Sequence, residues 1–108
     1  MSENQMIRLK NKVAMVVGAG QTRGPTIGNG RATAVLFARE GAKVVAVDRD
    51  LESANETVEI IGNEGGTAYA FEADVTDDVT LERAVADCMT RWDRLDVLHN
   101  NVGISVTG

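Results

Sequence analysis

The residues with the clearest chemical potential are glycines that lie between an apolar run and an amphipathic segment. Gly18 follows the run VAMVV at 13–17, and Gly28 and Gly30 precede the segment RATAVLF. Between a buried strand and a helix, glycines let a ligand approach the backbone, and the free N–H groups of the helix N-terminus attract negative charge. This placement predicts a loop that binds the pyrophosphate of a dinucleotide.

The spacing of these glycines departs from the strict G-x-G-x-x-G pattern, because Arg23 stands where the third glycine is required. We therefore assign Gly18 to the turn out of the strand, Gly28 and Gly30 to the start of the helix, and 19–27 to an enlarged loop. Arg23 is then a candidate phosphate contact. The alternative, that these are ordinary turn glycines, stays open. The predicted cofactor-binding residues of the loop are Gly18, Gly20, Arg23, Gly28, Asn29 and Gly30.

A single carboxylate forms the second candidate. Asp48 ends the apolar run VVAV at 44–47, and Arg49 follows it directly. A carboxylate at the end of this strand accepts hydrogen bonds from the hydroxyls of the adenosine ribose and repels a 2′-phosphate. Asp48 therefore predicts NAD as the cofactor, with NADP less favoured, and Arg49 softens the repulsion. The alternative is that Asp48 only caps the helix that follows.

Alternating apolar runs and helical patterns must position these residues. Strand-like runs occur at 13–17, 44–47, 67–71 and 95–99. Strands that alternate with helices form a parallel sheet covered on both faces, and in the dinucleotide-binding fold the strand order is 3-2-1-4. The sequence therefore predicts an α/β, Rossmann-type β-α-β-α-β-α-β unit, incomplete at its C-terminal side. We expect residues 1–108 to form one NAD(P)-binding domain that is the N-terminal portion of a longer one.

The helical segments carry more local expectations. Ala32, Val35 and Leu36 fall on one face of the first helix, which Gly41 terminates. Thr76 is the expected N-cap of the third helix. The apolar face of that helix consists of Leu81, Ala84, Val85, Cys88 and Trp92.

Composition and charge exclude several classes of function. The 108 residues are 44% apolar and 25% charged, as in one globular domain. Residues 1–50 carry a net charge of +4 and residues 51–108 a net charge of −9, without a basic cluster, which argues against nucleic-acid binding. No apolar run approaches the roughly 20 residues of a membrane helix. A single cysteine, Cys88, allows no internal disulfide and indicates a reducing, cytoplasmic setting.

Four motifs, in this order along the chain, resemble the short-chain dehydrogenase/reductase family of the classical type: GAG…GNGRATA, VVAVDRD, Asp74-Val75 and NNVG at 100–103. The resemblance implies that Asp74 and Val75 contact the adenine, and that Asn100, Val102 and Gly103 line the cofactor site. It also implies an NAD-dependent oxidoreductase that moves hydride between nicotinamide and a small alcohol or carbonyl substrate. The full-length protein is then expected to be a homo-oligomer.

The catalytic residues of that family have no counterpart in this sequence. Family members use a Tyr and a Lys four residues later, whereas Tyr69 is followed at that spacing by Ala73. We therefore expect Tyr69 to be a sheet residue and the 108-residue chain alone to be inactive. No metal site is predicted.

Two alternatives remain for the function. One is a free-standing nucleotide-binding or interaction module without catalysis. The other lies in the same superfamily, since the ten residues from Gly18 to Gly28 and the position of His99 resemble the enoyl-thioester reductases.

Overall fold

Four parallel strands form one sheet in a computed structural model that describes residues 9–20, 30–74 and 77–100. Their order is β3-β2-β1-β4. The strands are β1 (Val13–Val17), β2 (Lys43–Asp48), β3 (Thr67–Glu72) and β4 (Val97–Asn100). The predicted α/β Rossmann-type fold and its strand order are confirmed.

Three helices cover the two faces of this sheet. They are α1 (Gly30–Arg39), α2 (Leu51–Asn63) and α3 (Asp78–Trp92). Helices α1 and α2 pack on one face of the sheet, and α3 packs on the other. Every residue of β1 is buried, as expected of a strand covered on both sides. None of these three helices, which are those of the described part, is long and apolar enough to cross a membrane.

The buried face of α1 differs from the predicted one. Ala34 and Val35 are buried, whereas Leu36 is 50% exposed and Ala32 is exposed. The helix begins with Gly30 close against the backbone that follows β1, and Ala34 lies one turn later on the same side. Small residues along this stripe bring α1 near the sheet and turn Leu36 away from it. Gly41 has a φ of 101° and follows the helix, which confirms its terminating role.

The start of α3 also differs from the prediction, while its packing does not. The N-cap is Asp77, whose side chain accepts from the N–H of Val79 at 2.9 Å, so the expectation of Thr76 as the cap is wrong by one residue. The carboxylate fulfils the capping function one position later, and Thr76 lies outside the described residues. The predicted apolar face packs on the sheet, with Ala84 and Cys88 fully buried.

A carboxylate joins the beginning of β4 to β1. The N–H of Val13 donates to Oδ2 of Asp96 at 2.8 Å, and the N–H of Asp96 donates to the carbonyl of Val13 at 2.9 Å. The guanidinium of Arg94 holds both carboxylate oxygens, each at 2.8 Å. These bonds fix the register in which Val17 pairs with Asn100 at the far end of the strands.

Candidate functional site

The carboxyl ends of the four strands meet at one edge of the sheet. Val17 pairs with Val47 on one side and with Asn100 on the other, so Gly18 and Asp48 follow at the same level. In sheets of this kind ligands bind outside the carboxyl ends of the strands. The structure therefore places Gly18, Asp48 and Asn100 along the edge where a ligand is expected.

Gly18 turns the chain out of β1. It has a φ of 81°, a conformation that favours glycine, and its N–H donates to the carbonyl of Val47 at 2.7 Å. The N–H of Ala19 donates to the same carbonyl at 3.0 Å. The predicted turn therefore exists, fastened to the end of β2.

Gly30 brings the start of α1 against this turn. A Cβ atom on Gly30 would lie 2.6 Å from the carbonyl carbon of Gly18 and closer still to its oxygen. Only glycine permits this approach. The positive end of the α1 dipole consequently lies beside the exit of β1, and the first turn of the helix holds no acidic residue.

Asp48 is held in place by two backbone groups. Its Oδ2 accepts from the N–H of Gly20 at 2.8 Å, and its Oδ1 accepts from the N–H of Asp50 at 2.9 Å. The N-cap of α2 is Asp50, whose side chain accepts from the N–H of Ser53. The alternative role of Asp48 as the helix cap is therefore wrong. Its side chain is half-buried, and Arg49 beside it is exposed.

Gly20 has no room for a side chain. A Cβ atom there would lie 2.7 Å from Cβ of Ser53 and 2.8 Å from Oδ2 of Asp48. The bond between the Gly20 N–H and the Asp48 carboxylate therefore depends on a bare backbone at this position.

The hydroxyl of a buried threonine, which no sequence pattern indicated, binds the same loop from the side of α2. Thr57 of α2 is fully buried, and its hydroxyl donates to the carbonyl of Ala19 at 2.8 Å. Nε of Arg31 donates to the Thr57 hydroxyl at 2.9 Å, and its Nη2 donates to the carbonyl of Ser53 at 3.1 Å. Thr57 lies between Ala54 and Ile61 on the buried face of α2. A polar residue at a position that the helical period makes apolar is the one sequence feature that could have identified it.

The end of β3 continues the same edge. The N–H of Ala73 donates to the carbonyl of Asp48 at 3.2 Å, and Asp74 lies two residues beyond the last pair of these strands, Asp48 with Glu72. The N–H of Asp74 donates to the hydroxyl of Thr80 at 3.2 Å, which connects this end to the first turn of α3.

The remaining predicted cofactor contacts lie outside the described residues. They are Arg23, Gly28, Asn29, Val75, Val102 and Gly103.

Tyr69 lies within β3, paired with Val45 and away from the carboxyl ends of the strands. Its ring packs on Trp92 with 5.0 Å between centroids and under the guanidinium of Arg91 at 3.8 Å. Burial raises the pKa of its hydroxyl above the ordinary value, as does the neighbouring Asp87. Tyr69 is thus a sheet residue, as predicted.

His99 is also part of the packing. It pairs with Val16 in the sheet, and its ring meets the edge of Phe37 with 6.1 Å between centroids. These contacts give it the role of a strand-end residue packed beside α1.

Comparison with known proteins agrees with this geometry. The chain is 38% identical over 98 residues to a sorbitol dehydrogenase of Cereibacter sphaeroides, an alignment that covers 91% of this chain and 35% of the relative. A solved structure of a putative short-chain dehydrogenase/reductase from Burkholderia xenovorans superposes with a TM-score of 0.81 at 52% identity, covering 94% of this chain and 40% of that one.

A further solved structure contains ligands. It is 7α-hydroxysteroid dehydrogenase complexed with NADH and 7-oxo glycochenodeoxycholic acid, with a TM-score of 0.78 and 32% identity over 91% of this chain and 36% of that one. The chain thus spans well under half the length of the relatives that it matches. The model of the family described as short chain dehydrogenase matches residues 12–108. Because that match extends from just before β1 through β4 and beyond, the chain belongs to the short-chain dehydrogenase family.

Proposed function

We propose that the protein is an NAD-dependent oxidoreductase that transfers hydride between nicotinamide and a small alcohol or carbonyl substrate, and that these residues supply part of its cofactor site. The observation that carries the proposal is the Asp48 carboxylate, held at the carboxyl end of β2 by the N–H of Gly20. This carboxylate lies at the same edge of the sheet as the Gly18 turn and the N-terminus of α1.

The residues of this edge suit an adenosine dinucleotide. A carboxylate offers only acceptors, and the 2′- and 3′-hydroxyls of a ribose are donors that match it. The pyrophosphate of the same ligand suits the positive end of the α1 dipole. When bound, the nicotinamide supplies the hydride chemistry, and the residues described above serve to bind and orient the cofactor.

The charge of Asp48 is the reason to propose NAD over NADP. Two like charges about 4 Å apart repel by about 1 kcal/mol in bulk water and by about 4 kcal/mol at an effective dielectric constant near 20. Because Asp48 is half-buried, we expect its repulsion of a 2′-phosphate to lie between these two energies. A relative of known structure is complexed with NADH, which supports a nicotinamide dinucleotide as the ligand.

The proposal also includes the setting and the assembly of the protein. Cys88 is a buried thiol whose pKa is raised by burial, as suits a structural cysteine in the reducing cytoplasm. A homo-oligomer is proposed from the family resemblance alone.

The test is calorimetric titration of the full-length protein with NADH and NADPH. We expect NADH to bind at least roughly tenfold more tightly. Asp48→Asn, which removes the charge but keeps the shape, should narrow the ratio of the NADPH to the NADH dissociation constant.

The matched control is Asp50→Asn. It removes a carboxylate two residues away, and asparagine remains a good N-cap for α2. Tighter binding of NADPH by the wild-type protein would overturn the proposed cofactor preference, as would an equal effect of the two substitutions.

A further inference from the structure

One peptide group in the glycine loop is held at both of its ends. The carbonyl of Ala19 and the N–H of Gly20 belong to the same planar unit and point in opposite directions. The carbonyl accepts from the hydroxyl of Thr57 at 2.8 Å, and the N–H donates to Oδ2 of Asp48 at 2.8 Å. The orientation of this peptide therefore couples a buried residue of α2 to the carboxylate at the end of β2.

Arg31 limits the directions in which the Thr57 hydroxyl can point, because the proton cannot face the guanidinium that donates to its oxygen. A threonine hydroxyl has one proton to donate, and Nε of Arg31 donates to its oxygen at 2.9 Å. The Thr57 oxygen is 2.8 Å from the Ala19 carbonyl but 3.4 Å from the Ser53 carbonyl, so the proton goes to Ala19. A charged donor polarises the hydroxyl and strengthens the bond that it donates.

We propose that Thr57, oriented by Arg31, is a positioning residue that sets dinucleotide specificity by fixing the Ala19–Gly20 peptide against Asp48. The inference rests on the proposed function, because the specificity in question is that of Asp48 for an unphosphorylated ribose. Neither Thr57 nor Arg31 needs to contact the cofactor for this effect.

Loss of the hydroxyl has a definite physical consequence. The Ala19 oxygen is deprived of a donor in a buried position, which is costly unless the peptide rotates towards another donor. Glycine at position 20 makes that rotation cheap, since it has few conformational restrictions. Rotation turns the Gly20 N–H away from Oδ2 of Asp48, and the carboxylate loses one of its two backbone anchors.

The first test needs no cofactor. In the full-length protein, the Gly20 amide proton should resonate downfield and exchange slowly with solvent, because it is bound to a carboxylate. Thr57→Val should move the resonance upfield and speed exchange roughly tenfold, the equivalent of one lost hydrogen bond. Thr57→Ser, which keeps the hydroxyl, should restore both readings.

The matched control is Ile61→Val, one turn further along the same buried face of α2. It removes one buried methyl group and leaves the Thr57 hydroxyl in place. We expect it to lower the overall stability of the protein without moving the Gly20 resonance, which separates positioning from a general loosening of α2.

The second test measures specificity. Thr57→Val should narrow the ratio of NADPH to NADH dissociation constants by roughly five- to tenfold, and Thr57→Ser should restore it. In an Asp48→Asn background, the same Thr57→Val substitution should leave the ratio unchanged, because the charge on which Thr57 acts is gone.

The outcomes separate this inference from the proposed function. If Thr57→Val leaves the resonance and the exchange rate of the Gly20 amide unchanged, the positioning role is overturned, whichever cofactor the protein prefers. If the Gly20 resonance moves but the ratio of NADPH to NADH dissociation constants does not change, the specificity role is overturned. A wild-type protein that prefers NADPH overturns the proposed cofactor preference and the specificity role together, while the amide measurement still decides the coupling of Thr57 to Asp48.

Discussion

At the scale of single residues, Asp96 shows how one side chain ties two strands together. Its carboxylate accepts from Arg94 and from the N–H of Val13 at the beginning of β1. These bonds, that of Arg94 first, lower the pKa of Asp96 from 3.8 to about 2. The charged form of Asp96 is therefore favoured by folding.

The lowered pKa predicts how stability depends on pH. Because the folded pKa lies below the ordinary value, the contribution of Asp96 is fully present above about pH 4 and is lost as the pH falls towards about 2. Asp96→Asn should be less stable than the wild-type protein in neutral solution, and the difference should shrink across this window. Urea unfolding at a series of pH values measures it.

Asp93→Asn is the control for this experiment. Asp93 ends α3 with a φ of 61°, a conformation that asparagine tolerates well, and the substitution removes a neighbouring charge. A difference between wild type and Asp96→Asn that stays constant over the pH range would contradict the role given to the Asp96 carboxylate.

At the scale of elements, the start of α1 lies close against the turn after β1. Gly30→Ala should destabilise the protein by about 1–3 kcal/mol, because the new methyl group meets the backbone of Gly18. The same shift of α1 should weaken dinucleotide binding. Thermal unfolding and calorimetric titration of the full-length protein measure the two effects.

Gly62→Ala provides the matched substitution. Gly62 lies in α2, and a Cβ atom there meets nothing within 4 Å. Alanine at this position should stabilise the protein by up to about 1 kcal/mol through the helix propensity alone. Equal effects of the two substitutions would show that the α1 contact does not require glycine.

The order of the elements was predictable because it depends on patterns of neighbouring residues. Continuous β-branched runs predicted β1 and β2, and the apolar period predicted the packing of α3. The face of α1 was not predictable in this way, because its orientation follows from one backbone contact between Gly18 and Gly30. Within the site, Asp48 stood at a recognisable strand end. The bond from Thr57 to Ala19 spans 38 positions of sequence and has no local pattern.

At the scale of the whole molecule, β4 lies at the edge of the described sheet, and Leu98 in it is 55% exposed. An exposed apolar edge strand favours pairing with another chain. A polypeptide consisting of residues 1–108 should therefore associate with itself as its concentration rises. Leu98→Lys should reduce that association, as measured by sedimentation velocity over a range of concentrations.

Val79→Lys is the control, since Val79 is also 55% exposed but lies on α3 and not in a strand of the sheet. If both lysine substitutions reduce association equally, added charge rather than the β4 edge is responsible. A monomer at all concentrations would contradict the prediction.

The two backbone hydrogen bonds to Asp48 reduce the entropy that its side chain can lose when a ligand binds. Each carboxylate oxygen accepts a backbone hydrogen bond from the protein itself, one from Gly20 and one from Asp50. A side chain that is already immobile loses little rotamer freedom on binding, a loss that otherwise costs about 0.5–1.5 kcal/mol for each such group. If Asp48 is the ribose acceptor, as proposed above, the ribose meets a carboxylate that is already fixed, and binding requires no rearrangement of this side chain.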